Sequence, residues 1–564
     1  MINSMNAIRT LIIFCVFLLF PSSLAFATEP IKLIHDGKGY HLEQDGEKIL
    51  MLAGELHNST SSTYESLDKA VTTVKAMGLN SVVATAEWDL IEPEEGKFDF
   101  SSIDNIIRTA DKHGIHVVLA WFATWKNGES GYAPLWVKSD TKKYFRCRDS
   151  KGENMNVISP YCKAAMEADS RAFSKMMEYI RDHDANRWIS VIQVENECGV
   201  MSEMDHSKAG IAAFKAEVPN DLTEYLKANY DSLLPRLKQR WTENGCKMGG
   251  TWIQVFGDND DARQFCLAVA FSEYLDNVTA AGKKSYDLPM YANAWLVNDD
   301  QKPGNWPAGG PVPKVLDIYK AMAKHLDWIS PDLYDPDFKG ICGIYSRQDN
   351  PLFIPETQRI AGPAYYAFGE RDAMCYSPFA IEDVYDDPYF LGEYKVLGEI
   401  LPLVAEYQGT GRMHGFLRQS EKDSVETFEL GGYEFKVWYI KGERFSHGLA
   451  IQTGDDEFLF AGVGAYVTFS SSDAQKKAYM WKTEELEKDG DGWKTKVYMN
   501  GDQTNNGQQL YLRGRMPNEE YHEYGFEIPA PWTDVSHQRR FWPEWQKRFK
   551  YSGIYKVNMY TFEK

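Results

Sequence analysis

The 564-residue sequence predicts an α/β fold: a (β/α)8 barrel followed by a C-terminal antiparallel β-sandwich domain. Three observations point to it. From Ile49 to about Gln408, short β-rich runs alternate with amphipathic helical stretches, as parallel strands joined by helical crossovers do. Eight such runs occur, the number that closes a barrel. Past about Glu421 the helical periodicity stops, and β-rich runs follow one another across Gly, Asp and Asn turns.

The expected barrel strands are Ile49–Ala53, Ser81–Thr85, His116–Trp121, Trp188–Val194, Met290–Ala294, Trp328–Ser330 and Leu352–Pro355, with a weaker eighth near Met374–Tyr376. Each is a short apolar run of the kind that a sheet buried on both faces requires. Between them, Ser66–Met77, Ile103–His113, Ala164–Arg181, Ala262–Ala281, Pro313–His325 and Glu393–Leu403 carry helical periodicity. A doubly wound open sheet is the competing architecture, but no Gly-x-Gly-x-x-Gly follows the first strand. In the second domain Phe428–Ile440, Gly448–Gln452, Phe458–Phe469, Trp493–Met499, Gln508–Arg513 and Gly553–Tyr560 read as strands. Turn clusters at Gly431-Gly432, Asp489–Gly492 and Asn500–Asp502 punctuate them. The resulting division is residues 28–408 for the barrel and 409–564 for the sandwich.

Residues 1–27 are expected to be an export signal rather than fold. Arg9 precedes the apolar stretch Leu11–Phe20, Pro21 ends it, and Ala25-Phe26-Ala27 supplies small residues for cleavage. Ten apolar residues are too few to span a bilayer. The expected location is periplasmic or extracellular, with no membrane span once the signal is removed. A net charge of −20 argues against nucleic-acid partners, whose phosphates would be repelled. Cys15 lies in the leader; Cys147, Cys162, Cys198, Cys246, Cys266, Cys342 and Cys375 form an odd, scattered set rather than a disulfide framework. There is no CxxC and no HExxH, so no metal and no cofactor are expected.

In such a barrel chemistry occurs at the C-terminal ends of strands. Two ends carry a glutamate just past an apolar run: Val191–Glu197, with Glu195 and Glu197, and Leu352–Thr357, with Glu356. A carboxylate emerging from a buried strand is costly unless paired, and two facing one pocket suit glycoside hydrolysis. One must be protonated to serve the leaving oxygen, the other ionised to attack the anomeric carbon. Glu197 is the expected acid/base and Glu356 the expected nucleophile. Glu195 is the alternative acid; strand alternation puts it on the same side as Glu197, which is nearer the loop.

The run Gln193-Val194-Glu195-Asn196-Glu197 with Gly199 resembles the acid/base motif of glycoside hydrolase family 35, the β-galactosidase family. The resemblance extends through Gly78-Leu79-Asn80, Trp88, Ile91–Phe100, Trp121-Phe122, Trp125-Lys126-Asn127, Pro307, Gly309–Pro311, Pro331–Tyr334 and Ser377–Phe379. It is strongest to the bacterial subgroup with a C-terminal β-domain, some members of which trim galactose from xyloglucan. It implies a retaining exo-enzyme acting on an oligosaccharide or polysaccharide, with Glu197 as acid/base and Glu356 as nucleophile. It also implies that Tyr334 holds the nucleophile.

The neighbouring residues have matching chemistry. Asn196 can bond a sugar 2-hydroxyl, and a Tyr334 hydroxyl can keep Glu356 ionised. Lys126 and Asn127 offer polar groups to sugar hydroxyls, and Trp125 and Trp295 offer ring faces for stacking. Glu87 stands where family members more often carry a neutral or aromatic residue, and it could select a different sugar. Cys198 and the segment Glu203–Ser207, which lacks an expected arginine, are further departures. The competing functions are an exo-glycosidase for another β-linked sugar and a carbohydrate-binding protein without catalysis. No Gly-x-Ser-x-Gly supports an esterase or peptidase.

Overall fold

The computed structural model describes residues 28–515 and 550–564, except 296, 298–300, 442 and 444. The expected export signal lies outside the described residues. Eight parallel strands form the barrel: β1 (Met51–Leu52), β2 (Ser81–Glu87), β3 (His116–Lys126), β4 (Ile189–Asn196), β5 (Met290–Ala294), β6 (Trp328–Leu333), β7 (Ile354–Thr357) and β8 (Cys375–Pro378). Ladders join each strand to the next from β2 to β8, and β8 returns to β1. Closure between β1 and β2 comes just past the short first strand. There Val83 N donates to Gly54 O (2.9 Å) and Leu56 N to Val83 O (3.1 Å).

Strand alternation sorts the side chains into two layers. Met51, Ala53, Val83, Val118, Ala120, Phe122, Val191, Tyr291 and Trp328 share one core inside the barrel. Leu52, Val82, Ala84, Val117, Leu119, Ile192, Met290, Ala292 and Ile329 pack outward in the core shared with the helices. Continuing the inward parity toward the C-terminal ends reaches Glu55, Gln193, Asn293 and Asp332. The barrel interior is therefore apolar at the bottom and polar at the top. Leu42, from an antiparallel sheet of Lys32–Asp36, Gly39–Gln44 and Glu47–Ile49, and Ile31, just before that sheet, plug the lower end. That sheet was not expected, because its charged strands bury few side chains each.

The main crossover helices, Tyr64–Ala76, Ser101–His113, Lys163–His183, Asp260–Ser285 and Pro388–Tyr407, lie near the expected positions. Local chemistry sets their ends. The Thr63 and Asn259 side chains accept from Ser66 N and Ala262 N, satisfying otherwise orphaned donors. The expected helix Pro313–His325 is shorter, a 3-10 turn at Pro313–Val315 followed by Leu316–Met322. The long loop after β4 also holds the short helices Lys208–Lys215, Asn220–Ala228 and Pro235–Glu243.

The described residues of the C-terminal region form two antiparallel sheets. Met413–Leu417, His447–Gly454, Glu457–Val463, Gly553–Glu563, Lys476–Asp489 and Gly492–Met499 lie side by side in that order. Val425–Leu430, Tyr433–Tyr439, Ala465–Ser471 and Gln509–Leu512 make the second sheet. Phe416, Phe458, Phe460 and Tyr555 of the first meet Phe435, Val437, Val467 and Leu512 of the second in one core. The expected single strand Phe458–Phe469 is broken at Gly464, where the chain crosses between sheets. This glycine has φ +73°, and a Cβ there would collide with the Phe445 carbonyl.

The two regions pack directly. The buried Glu393 carboxylate of the last barrel helix accepts from Tyr365 Oη (2.8 Å) and Ser552 N (3.0 Å), and His447 Nε2 lies 3.0 Å away. All seven cysteines among the described residues are free thiols, and six are buried. No described helix is long and apolar enough to cross a membrane.

Candidate active site

The polar upper layer of the barrel builds one connected site. Tyr291 Oη donates to Gln193 Oε1 (2.8 Å), and Gln193 Nε2 reaches Asn196 Oδ1 (3.3 Å). Asn293 Nδ2 donates to Asn196 Oδ1 (3.2 Å) and Asp332 Oδ2 (2.6 Å), while its Oδ1 accepts from Glu197 N (2.9 Å). The buried amides of β4 and β5 thus fix the backbone and side chain at the Asn196-Glu197 step, as low-dielectric networks do when fully paired.

Glu195 and Glu197 have φ values of +64° and +44°, a strained conformation for residues with a Cβ. The first breaks the strand alternation, so the two carboxyls do not share a side as expected. Glu195 turns to β3, accepting from Thr124 N (3.0 Å) and Trp125 N (2.7 Å), and lies against the buried Asp169. Asp169 in turn accepts from Trp121 Nε1 (2.9 Å) and Thr124 Oγ1 (2.8 Å). Glu195 is therefore a bracket between strand and helix. Gly199, at φ +147°, follows this turn; a Cβ would strike the Pro307 carbonyl, which packs the Pro307 loop against it.

Glu197 lies just past β4 at 7% exposure. Burial, followed by the charge of Glu356, pushes its carboxyl up to about 7 against the opposing influence of Asp332, Lys126 and Asn196. Glu356, at the end of β7 and half-buried, accepts a 2.6 Å hydrogen bond from Tyr334 Oη. Partial burial and then the neighbouring Glu356 raise the Tyr334 phenol well above its usual range, so it remains a donor. One carboxyl is thus biased toward the acid and the other has a donor for its ionised form.

Lys126 acts on the charges of Glu197 and Glu55, and its Nζ donates to Asn127 Oδ1 (2.8 Å). Asn196 Nδ2 also points to Asn127 Oδ1 (3.4 Å), so these three polar groups form one edge of the site. Trp295 lies just past β5 and is 39% exposed. Trp125 is a correction: its ring is fully buried against Phe271 and Tyr274, with Nε1 bonded to Ile158 O (2.9 Å). It has no face for a sugar. Glu87, at the end of β2, is half-buried; burial and then Asp89 raise it to about 7, and it sits among Asp89 and Tyr132 at the rim.

Two further carboxyls escaped sequence reasoning. Glu55, just past β1, and Asp332, in β6, are buried, and both are pushed well above the ordinary carboxylate range by burial and then by Glu356. The signal was present: Glu55 follows an apolar run as Glu197 and Glu356 do, and Asp332 lies in the quoted Pro331–Tyr334 motif. Among the described residues, no cluster of His, Cys, Asp and Glu is arranged to hold a metal ion.

A family model described as β-galactosidase matches residues 57–249. A second, a domain of unknown function, matches residues 390–511. A β-galactosidase of Xanthomonas manihotis is 30% identical over 219 residues, covering 37% of this chain and 30% of the relative. The β-galactosidase GanA of Bacillus subtilis is 24% identical over 265 residues, covering 44% of this chain and 34% of the relative. The chain thus spans about a third of the length of these relatives. Among solved structures, the β-galactosidase of the psychrophilic Marinomonas ef1 overlaps 64% of this chain and 61% of its own, at 13% identity and TM-score 0.42.

Proposed function

We propose that this protein is a retaining exo-glycosidase that releases terminal β-galactose from plant oligosaccharides or polysaccharides. The observation that carries the reading is the pairing of Glu197 with Glu356, one pushed up to about 7 and the other hydrogen-bonded by Tyr334. In the first step Glu356 attacks the anomeric carbon while Glu197 gives its proton to the departing glycosidic oxygen. In the second, Glu197, now ionised, takes a proton from water, which attacks the same carbon and frees Glu356. In this reading Asn196, beside Lys126 and Asn127, bonds the sugar 2-hydroxyl.

The galactose assignment is supported by the β-galactosidase model across the acid/base segment and by the names of the relatives. Placement in glycoside hydrolase family 35, and within it a xyloglucan-acting role, is supported by the sequence motif around Glu197 and by the presence of a C-terminal β-domain. Export is supported by the composition of residues 1–27. A second reading, cleavage of another β-linked sugar, is favoured by Glu87, an acidic rim group able to read a different hydroxyl pattern.

A panel of aryl β-glycosides and xyloglucan oligosaccharides, with released sugars identified, tests the proposal. Galactose should be the main product, and proton NMR should show the β-anomer first. Preferential release of glucose, arabinose or glucuronate would replace the galactose assignment, and initial release of the α-anomer would replace the retaining one.

A further inference from the structure

Glu55 occupies a singular place in the barrel. Its backbone bridges Val83 of β2 and Phe379 beyond β8, with Glu55 N donating to Pro378 O (2.9 Å) and Ile381 N to Glu55 O (3.1 Å). These bonds fix the side chain on the inward parity set by Met51 and Ala53. The residue is 4% exposed, and its carboxyl is in hydrogen-bond contact with that of Glu356. Its Oε2 is buried, and among the described residues no N–H or O–H group donates to it.

Two ionised carboxylates in contact, one with a buried oxygen that no described group serves, are mutually destabilising. A single proton shared between them removes the repulsion and satisfies the orphan oxygen. Glu356 already receives the Tyr334 hydroxyl and is the less buried of the two; Glu55 Oε2 has no such donor among the described residues. The proton therefore belongs on Glu55. The surrounding groups reinforce this: Glu197, just past β4, and Asp332 of β6 face the pair, and Lys126 of β3 is a cation acting on it. The phenols of Tyr334 and of Tyr291 in β5 are the neutral neighbours.

We propose that Glu55 is a positioning residue, a carboxylic acid that donates its O–H to Glu356 and, together with Tyr334, holds that carboxylate ionised and aimed. This deepens the functional reading above and rests on Glu356 being the nucleophile.

The test is the pH profile of kcat/KM on an aryl β-galactoside for the wild type, Glu55→Gln and Glu55→Leu. The acidic limb reports ionisation of the nucleophile in the free enzyme. Leucine removes a donor to the charged form, so the limb should move to higher pH and kcat should fall on the order of 100-fold. Glutamine keeps a neutral donor, so the limb should stay in place and activity should recover to within about tenfold of wild type. A limb that moves to lower pH in both variants would mean that Glu55 is ionised, and would overturn the proposal. Equal loss in both variants with unchanged limbs would reduce Glu55 to a structural role and overturn it too. An infrared difference spectrum between wild type and Glu55→Gln at neutral pH needs no substrate: loss of a carboxylic-acid carbonyl band supports the proposal, and loss of carboxylate bands contradicts it. A wild type inactive on every β-glycoside but retaining that acid band would overturn the functional reading and leave the Glu55 protonation standing.

Discussion

Tyr334 Oη donates a 2.6 Å hydrogen bond to Glu356 Oε1, joining the ends of β6 and β7 across the candidate site. A hydrogen bond to a charged group contributes about 2 kcal/mol. Tyr334→Phe should therefore lower kcat/KM by roughly 30-fold and move its acidic limb to higher pH, since the donor favours the ionised carboxylate. Steady-state kinetics across pH would check this, with the variant's Tm expected to stay close to wild type because Tyr334 is substantially exposed.

Glu197 should govern the alkaline limb. Its carboxyl is raised to about 7, so the protonated, leaving-group-assisting form is present below that pH and lost above it. Hydrolysis of a substrate with a poor leaving group should decline as pH rises through about 7. In Glu197→Ala that limb should vanish, and poor leaving groups should suffer more than dinitrophenyl glycosides, which need no protonation. Equal losses for both classes would count against the acid role.

The two tryptophans should separate cleanly. Trp125→Ala empties a packed core position and should cost about 3–5 kcal/mol of stability, read as a lowered Tm. Trp295→Ala, at an exposed position past β5, should leave Tm nearly unchanged and raise KM for oligosaccharides. A large Tm loss at Trp295 or none at Trp125 would reverse their assignments.

What was legible in sequence follows from physical locality. Runs such as Ser81–Thr85 and Met290–Ala294 announce buried strands because both faces are covered, and Glu197 and Glu356 stand out as acids at strand ends. The strand Lys476–Asp489 was missed because its Lys, Glu and Leu content favours a helix; pairing with Gly492–Met499 on one side and Gly553–Glu563 on the other overrides that preference. Glu195 was misplaced because alternation holds only while φ stays negative, and its sequence carries no sign of the +64° turn. The burial of Trp125 depends on Phe271 and Tyr274, about 150 residues away, which no local pattern reveals.

The contact between barrel and sandwich should be pH-dependent. His414 lies between two carboxylates, Nδ1 2.8 Å from Glu370 and Nε2 3.2 Å from Glu426. Burial alone would lower its pKa, but the hydrogen bonds and charges of Glu370 and Glu426 outweigh it and raise it. Its contribution is fully present below the unfolded value of about 6.5 and is lost as pH rises through the raised folded value. Glu426 is also partly buried, yet His414, Lys339 and Tyr439 hold it down to about 2. Its contribution is present above the unfolded value of about 4.3 and disappears as pH falls through about 2. His414→Gln should thus lower Tm by several degrees near pH 6 and by less near pH 9, measured by calorimetry. A gap that widens with pH would contradict the charged-histidine bridge.

Glu356 should be the group that attacks the sugar. Incubation with a 2-deoxy-2-fluoro β-galactosyl fluoride, followed by intact-mass measurement and peptide mapping, tests it most directly, because the fluorine slows release of a covalent glycosyl intermediate. One fluorogalactosyl group on Glu356, together with loss of activity, is the predicted result. A fully active, unlabelled enzyme, or a label on another carboxylate such as Glu55 or Asp332, would contradict it.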